Sequence, residues 1–266
     1  ADTRDMMRRL TKEELLKFDG KPLFPERRAY TVRYQLSDLE ASLYAAVTEY
    51  VRSEMNRVDR FADVDNKKRV NVGFALQILQ RRLASSPAAI FNSLKRRRER
   101  LENELTEARL IARGQTVASN LDNELISNEI FRNMEELDQD EIDNYEDSIS
   151  TSATTAETIE QLEQEVETLK SLETQAAEVL RSGTDTKWRE LDRILDDAMM
   201  IDEDGVRRKL IIFTEAKDTL LYLVEKIRTR LGKPEAVDCI HGGILREERR
   251  KIIRRIRLFW NSSRKS

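Results

Sequence analysis

Apolar residues along this chain recur mainly at three- and four-residue steps, the spacing that collects them on one face of an α-helix. Leu39, Leu43, Ala46, Val47, Tyr50 and Val51 form one such stripe, over a helix running to about Arg57. Ser37 and Glu40 stand at its start with capping-box spacing, where the Ser oxygen accepts an N-terminal amide and the Glu reaches back. Phe74, Leu76, Ile78 and Leu79 mark a second helix over Val70 to Leu83, and Ser85-Ser86-Pro87 breaks it. Pro87 suits the first turn of a third helix, which begins near Ala88 and runs past Leu105 through Lys95-Arg96-Arg97-Arg98. Farther on, Ile159, Leu162, Val166, Leu169, Leu172, Ala176 and Val179 predict a two-helix hairpin or coiled-coil arm over Thr155 to Leu180. The repeat is too short to specify an oligomer, so packing within the chain is expected. Trp188, Leu191, Ile194 and Leu195 continue in helical register toward a turn at Asp204-Gly205.

Two-residue alternation is rarer. Tyr30, Val32 and Tyr34 would share one face of a strand over Arg28 to Gln35. Lys209 opens a short apolar run, Leu210-Ile211-Ile212-Phe213, that reads as a buried strand ended by Thr214 and Glu215. Leu220, Leu223, Val224, Ile227 and Leu231 give the next helix, Ala216 to Leu231, and Gly232-Lys233-Pro234 stops it. Val237 to Ile240 reads as a second strand, leading through His241-Gly242-Gly243 into a helix from Leu245 to Ile256. Strand, helix, strand, helix is a βαβα unit, whose ligand loops lie at the carboxyl ends of its strands. The fold class expected is mostly α with a small α/β part.

Composition sharpens this picture. Charged residues make up 36% of the 266 positions, with only 8 Gly and 4 Pro, which favours long helices. The net charge of −3 conceals segregation: Asn133 to Leu169 holds no Lys or Arg, whereas Arg81 to Arg113 and Arg246 to Lys265 are basic. The stretch from about 114 to 155 has too few apolar residues to bury much. A lone cysteine, Cys239, excludes an internal disulfide, fits a reducing cytoplasm, and reads as a small buried side chain. No apolar stretch approaches the ~18–20 residues that span a bilayer.

The residues that carry chemistry lie at the two ends. The order "apolar strand, Phe213-Thr214, helix, strand, His241-Gly242-Gly243, then Glu248-Arg249-Arg250" resembles the opening of the second RecA-like lobe of superfamily 2 helicases. The resemblance is closest to the Swi/Snf-like translocase branch. Met7-Arg8-Arg9-Leu10-Thr11-Lys12-Glu13 is similar to the Arg-Arg-x-x-Lys segment that follows the first lobe there. Leu36-Ser37, Leu43-Tyr44 and Val47-Thr48 resemble its next strand-to-helix passage, and Phe18 to Arg28 the version in large prokaryotic helicase-related proteins. Taken as a guide, the resemblance implies an interlobe segment over 1–110, an acidic helical or coiled-coil-like insertion over 111–204, and the first half of the second lobe over 205–266. The last would be an incomplete RecA-like βαβα unit, whose open sheet edge invites self-association.

The resemblance also implies a partner and a set of site residues. The parent motor would use ATP and magnesium to move on duplex DNA, without sequence preference. The His241-Gly242-Gly243 loop would face the nucleic-acid backbone, since paired glycines allow close approach and exposed amides hold phosphate. Thr214 would lie beside the same groove, or cap the following helix. Lys95, Arg96 and Arg97, with Arg98 and Arg100, could neutralise phosphates, form a solvated face, or pair with the acidic middle. Arg8, Arg9 and Lys12 could meet phosphate or an interlobe carboxylate. No G-x-x-x-x-G-K-[ST] loop is present, because Gly20-Lys21 and Gly232-Lys233 are each followed by Pro. Asp140-Glu141-Ile142-Asp143 spells the helicase magnesium motif, but in an acidic helical context rather than at a strand end. The chain is therefore expected to bind no cofactor itself, to contain no catalytic residue or metal site, and to hydrolyse no ATP alone. It would need the missing lobes or a companion chain. The competing reading is a helical scaffold that docks a protein partner.

Overall fold

The computed structural model describes residues 15–24, 29–58, 66–114, 145–146, 148–149, 153–201, 205 and 207–262. It divides into two compact units, residues 1–34 and 35–266. In the first, Leu16 and Pro22 form an isolated antiparallel bridge around a turn in which Gly20 takes a positive φ of 78°. The strand expected over 28–35 does not form among its described residues, and Tyr30 and Tyr34 stand exposed.

The second unit is built of α-helices: α1 Asp38–Val58, α2 Asn66–Ser85, α3 Pro87–Ala112, α4 Ile159–Ser182, α5 Thr186–Asp196, α6 Lys217–Leu231 and α7 Arg246–Ser262. Helix α1 packs on α2, α2 on α3, α3 on α4 and α4 back on α1, which closes a four-helix bundle. One core runs through all four, from Leu43, Val47 and Val51 to Leu76 and Leu79, Ile90, Leu94 and Leu101, and Val166, Leu169 and Ala176. The apolar stripe over 155–180 is thus a single helix packed within the chain, not a hairpin. Among the described elements, α3 and α4 make the most extensive helix–helix contact.

Local sequence explains where the helices start. The capping box forms: the Ser37 amide and hydroxyl both donate to Glu40 Oε2 at 2.8 Å. Ser86 Oγ accepts from Ala89 N at 3.1 Å, with Pro87 at the first helical position. Thr158 and Asp185 cap α4 and α5 in the same way. Gly183, between those two helices, takes the left-handed conformation at φ 67°, which a side chain would strain.

Among the described residues no β-strand forms, so the α/β part expected over 205–266 is not seen as a ladder. The apolar run at 210–213 and the segment at 237–240 carry no regular hydrogen bonding. Ile211 is 71% exposed and Phe213 91% exposed. A strand needs a neighbour to pair its backbone and a layer packed on its face to bury such side chains, and none of the described segments pairs with this one. Among the described residues, no helix is long and apolar enough to cross a membrane.

Candidate nucleic-acid interface

The His241-Gly242-Gly243 loop is set by what precedes it. Helix α6 docks its first turn on the α2–α3 corner through polar side chains. Thr219, buried, lies 2.6 Å from Ser85 Oγ and 2.8 Å from Ser86 Oγ. Asp218 accepts from Asn92 Nδ2 at 3.0 Å and from Arg96 Nη2 at 2.9 Å. Lys217, between that turn and the 209–214 segment, is left exposed. The second segment, 237–240, brings the loop back to the same end of α6. A Cβ placed on Gly243 would sit 3.5 Å from Lys217 Nζ and 3.2 Å from His241 Cε1. A side chain at 243 would crowd the imidazole lying over it, which would have to shift by a few tenths of an ångström.

Arg249, on α7, braces the loop from below. Its Nη2 donates to the carbonyls of Gly242 at 3.2 Å and Ile244 at 3.4 Å. The Ile244 amide closes the turn on His241 O at 3.2 Å. Two polar atoms of this cluster, His241 Nδ1 and Arg249 Nε, are buried with no hydrogen-bond partner among the described residues. Buried polar groups are normally satisfied, so Arg249 Nε marks a place where an acceptor is wanted, and His241 Nδ1 a place where a hydrogen-bond partner is wanted. Lys217, His241 and Arg249 together offer donors and positive charge at one glycine-rich turn, the chemistry of an anion site. Thr214 is half-buried three residues before Lys217 on the same segment.

The basic cluster on α3 is arranged quite differently. Arg97 has an exposure of 0%, with Nη2 2.8 Å from Glu165 Oε1 on α4 and Nε 2.9 Å from the Tyr50 hydroxyl on α1. The Tyr50 hydroxyl itself donates to Glu165 Oε1 at 2.8 Å. Burial alone would weaken the Arg97 proton, but the Tyr50 oxygen and Glu165 carboxylate outweigh it, and its pKa lies above the ordinary arginine value. Burial holds the Tyr50 phenol well above its usual range, so the hydroxyl keeps the proton that it donates to Glu165. Arg97 therefore cannot present to a phosphate. Arg96 is held by Asp218, Arg98 by Glu173 and Glu102, and Arg100 by Glu104. Of the three α3 residues expected at DNA, Lys95 is the exposed one, with Glu99 4.0 Å away.

The structure thus joins His241 and Gly243 to Lys217, with Gly242 braced by Arg249, and leaves Lys95, Arg96 and Arg97 on a separate element. Lys217 and Arg249 were not expected at the site. Their signal was positional: a lysine opening the helix after Thr214-Glu215, and an arginine six residues after Gly243. Arg8, Arg9, Lys12 and Asp140 to Asp143 lie outside the described residues. Cys239 is half-buried with a free thiol. Among the described residues, no group of three or more His, Cys, Asp or Glu side chains could hold a metal ion. Compared with protein-family models, curated proteins and solved structures, the chain matches none.

Proposed function

We propose that this chain is a segment of a Swi/Snf-like superfamily 2 DNA translocase, and that it touches the duplex backbone through the 241–243 loop. The observation that carries the reading is the convergence of Lys217 Nζ and the His241 ring on Gly243, with Arg249 bracing the turn. A translocase must grip phosphates without reading bases, and a glycine turn flanked by cations is suited to that. The exposed 210–213 segment fits the same reading, as a strand whose sheet neighbours would come from elsewhere in the motor, or from a second copy. ATP and magnesium are given no site in these residues, since the sequence has no phosphate loop. Their chemistry belongs to other parts of such a motor, working in the cytoplasm.

The α1–α4 bundle supports a second role beside the first. Its cations are paired internally, which makes it a rigid spacer or protein-docking arm rather than a DNA-binding face.

Fluorescence anisotropy with a labelled duplex tests the loop directly. Wild-type chain should bind at low salt and lose affinity steeply as salt rises. Lys217→Gln combined with His241→Ala should weaken binding about tenfold, while Lys95→Gln changes it little. Absence of wild-type binding at low salt, or binding indifferent to the Lys217/His241 pair, would overturn the assignment.

A further inference from the structure

Helix α7 sorts its cations into two groups. Over Arg246–Ser262 it carries seven Lys or Arg against two Glu. Arg249 braces the loop, Lys251 pairs with Glu248 at 2.5 Å, and Arg255 pairs with Asp238 at 2.6 Å. Of the other four, Arg246, Arg250 and Arg254 have described side chains, and Arg257 lies beyond the described side chains. All three are exposed, and among the described residues none takes part in an ion pair.

These three share a face. At about 100° per residue, Arg246 and Arg254 fall some 40° on either side of Arg250. Ile252, the buried residue among the described side chains of this helix, lies about 160° around from Arg250. The arginines therefore form a stripe pointing away from the body, at intervals of about 6 Å along the axis. The stripe starts three residues after Gly243, so it extends the Lys217–His241 site.

We infer that Arg246, Arg250 and Arg254 form a second, linear phosphate-contacting face, which follows one strand of a nucleic-acid backbone away from the 241–243 loop. This rests on the loop's assignment to nucleic acid. A linear polyanion suits the stripe better than an anionic membrane does. A helix lying in a bilayer buries a wide apolar face beside its cations, whereas over its described side chains, 246–255, α7 turns Ile252 toward the protein and borders the stripe with the partly exposed Ile253. Each guanidinium that neutralises a B-DNA phosphate releases condensed counterions, so each should leave its mark on the salt dependence.

The test compares the wild-type chain, the Arg246→Gln/Arg250→Gln/Arg254→Gln variant and the Lys217→Gln/His241→Ala variant on one labelled duplex across a salt series. Far-ultraviolet circular dichroism confirms that helix content is unchanged. The triple variant should reduce the slope of log affinity against log salt by about 0.9 per arginine, about 2.7 in all. It should still bind at low salt, more weakly. An unchanged slope in the triple variant, with binding lost in the Lys217/His241 variant, would overturn the stripe and leave the loop standing. Failure of the wild-type chain to bind the duplex would overturn both. Sedimentation with vesicles of phosphatidylserine and phosphatidylcholine supplies the remaining arm. Arginine-dependent capture by vesicles without duplex binding would make the stripe a membrane face and sink the proposal.

Discussion

Helices α3 and α7 are both rich in arginine, yet they use it in opposite ways. On α3, Arg96, Arg97, Arg98 and Arg100 each meet a carboxylate, three of them across helix–helix contacts. On α7, Arg246, Arg250 and Arg254 meet none among the described residues. Helix α3 carries six Lys or Arg in 26 residues and α7 seven in 17, so both are rich in positive charge. What differs is the supply of facing carboxylates, which α4 and α6 bring to α3 and nothing described brings to the outer face of α7. A basic run therefore announces a nucleic-acid face only where the fold leaves it unpaired. Inside a bundle the same run becomes a set of cross-links.

The largest effect expected from this contrast lies at Arg97. Removing one member of a buried ion pair strands the other, which typically costs about 3–5 kcal/mol. Arg97→Met should lower unfolding free energy by that order in urea, because Glu165 and Tyr50 lose the cation that satisfies them. Arg97→Met combined with Glu165→Leu should recover most of the loss, since an apolar pair of similar volume carries no desolvation penalty. A single variant that loses under about 1 kcal/mol would mean that this arginine is not a structural cross-link.

That triad also marks the limit of what the sequence discloses. The stripes of α1 and α4, the breaks at Ser86-Pro87 and the Ser37/Glu40 box were all legible, because periodicity and capping are local. Arg97 occupies a core position in the series Ile90, Leu94, Arg97, Leu101, Leu105, and Glu165 lies beside Val166 in the α4 stripe. A charge at a core position is legible as buried only when its partner is known, and the Arg97–Glu165 pairing joins two helices distant in sequence. The apolar run Leu210 to Phe213 was read as a buried strand because its composition asks for burial. Whether a strand forms depends on neighbours distant in sequence, and composition carries no record of them. The His241 loop was legible from its glycines, but Lys217 reaches it only through tertiary structure.

A middle-sized effect is expected at Glu40, which ties the start of α1 to the start of α5. Its carboxylate accepts from Ser37 and from the amide and hydroxyl of Thr186, both at 3.0 Å to Oε1. Burial pushes this carboxyl up, but the hydrogen bonds outweigh burial, and its pKa lies below the ordinary value of 4.5. The sign follows. A carboxyl with a depressed folded pKa contributes stability above its unfolded pKa, and that stability is lost as pH falls through the folded one. Glu40→Gln should therefore cost roughly 1–2 kcal/mol at pH 7. The gap to wild type should narrow below the ordinary value of 4.5, the range set by the depressed folded pKa. A gap that stays constant down to strongly acidic pH would show that the charge on Glu40 is irrelevant to this junction.

The smallest effect is the one that sharpens the contrast most. Replacing Arg246, Arg250 and Arg254 by Gln should leave stability within about 0.5 kcal/mol of wild type, because exposed positions with no partner lose no contact. Helix propensity is nearly the same for Arg and Gln. Two like-charge pairs at four-residue spacing disappear, each worth a few tenths of a kcal/mol against the helix, so a slight rise in Tm is expected. Arg246 also stands in the first turn, where a cation opposes the helix dipole. Near-neutral stability together with a flattened salt slope would separate binding from folding at these residues, the reverse of the behaviour predicted for Arg97. A loss above 1 kcal/mol in calorimetry would instead make the α7 arginines structural, and the distinction between the two helices would fail.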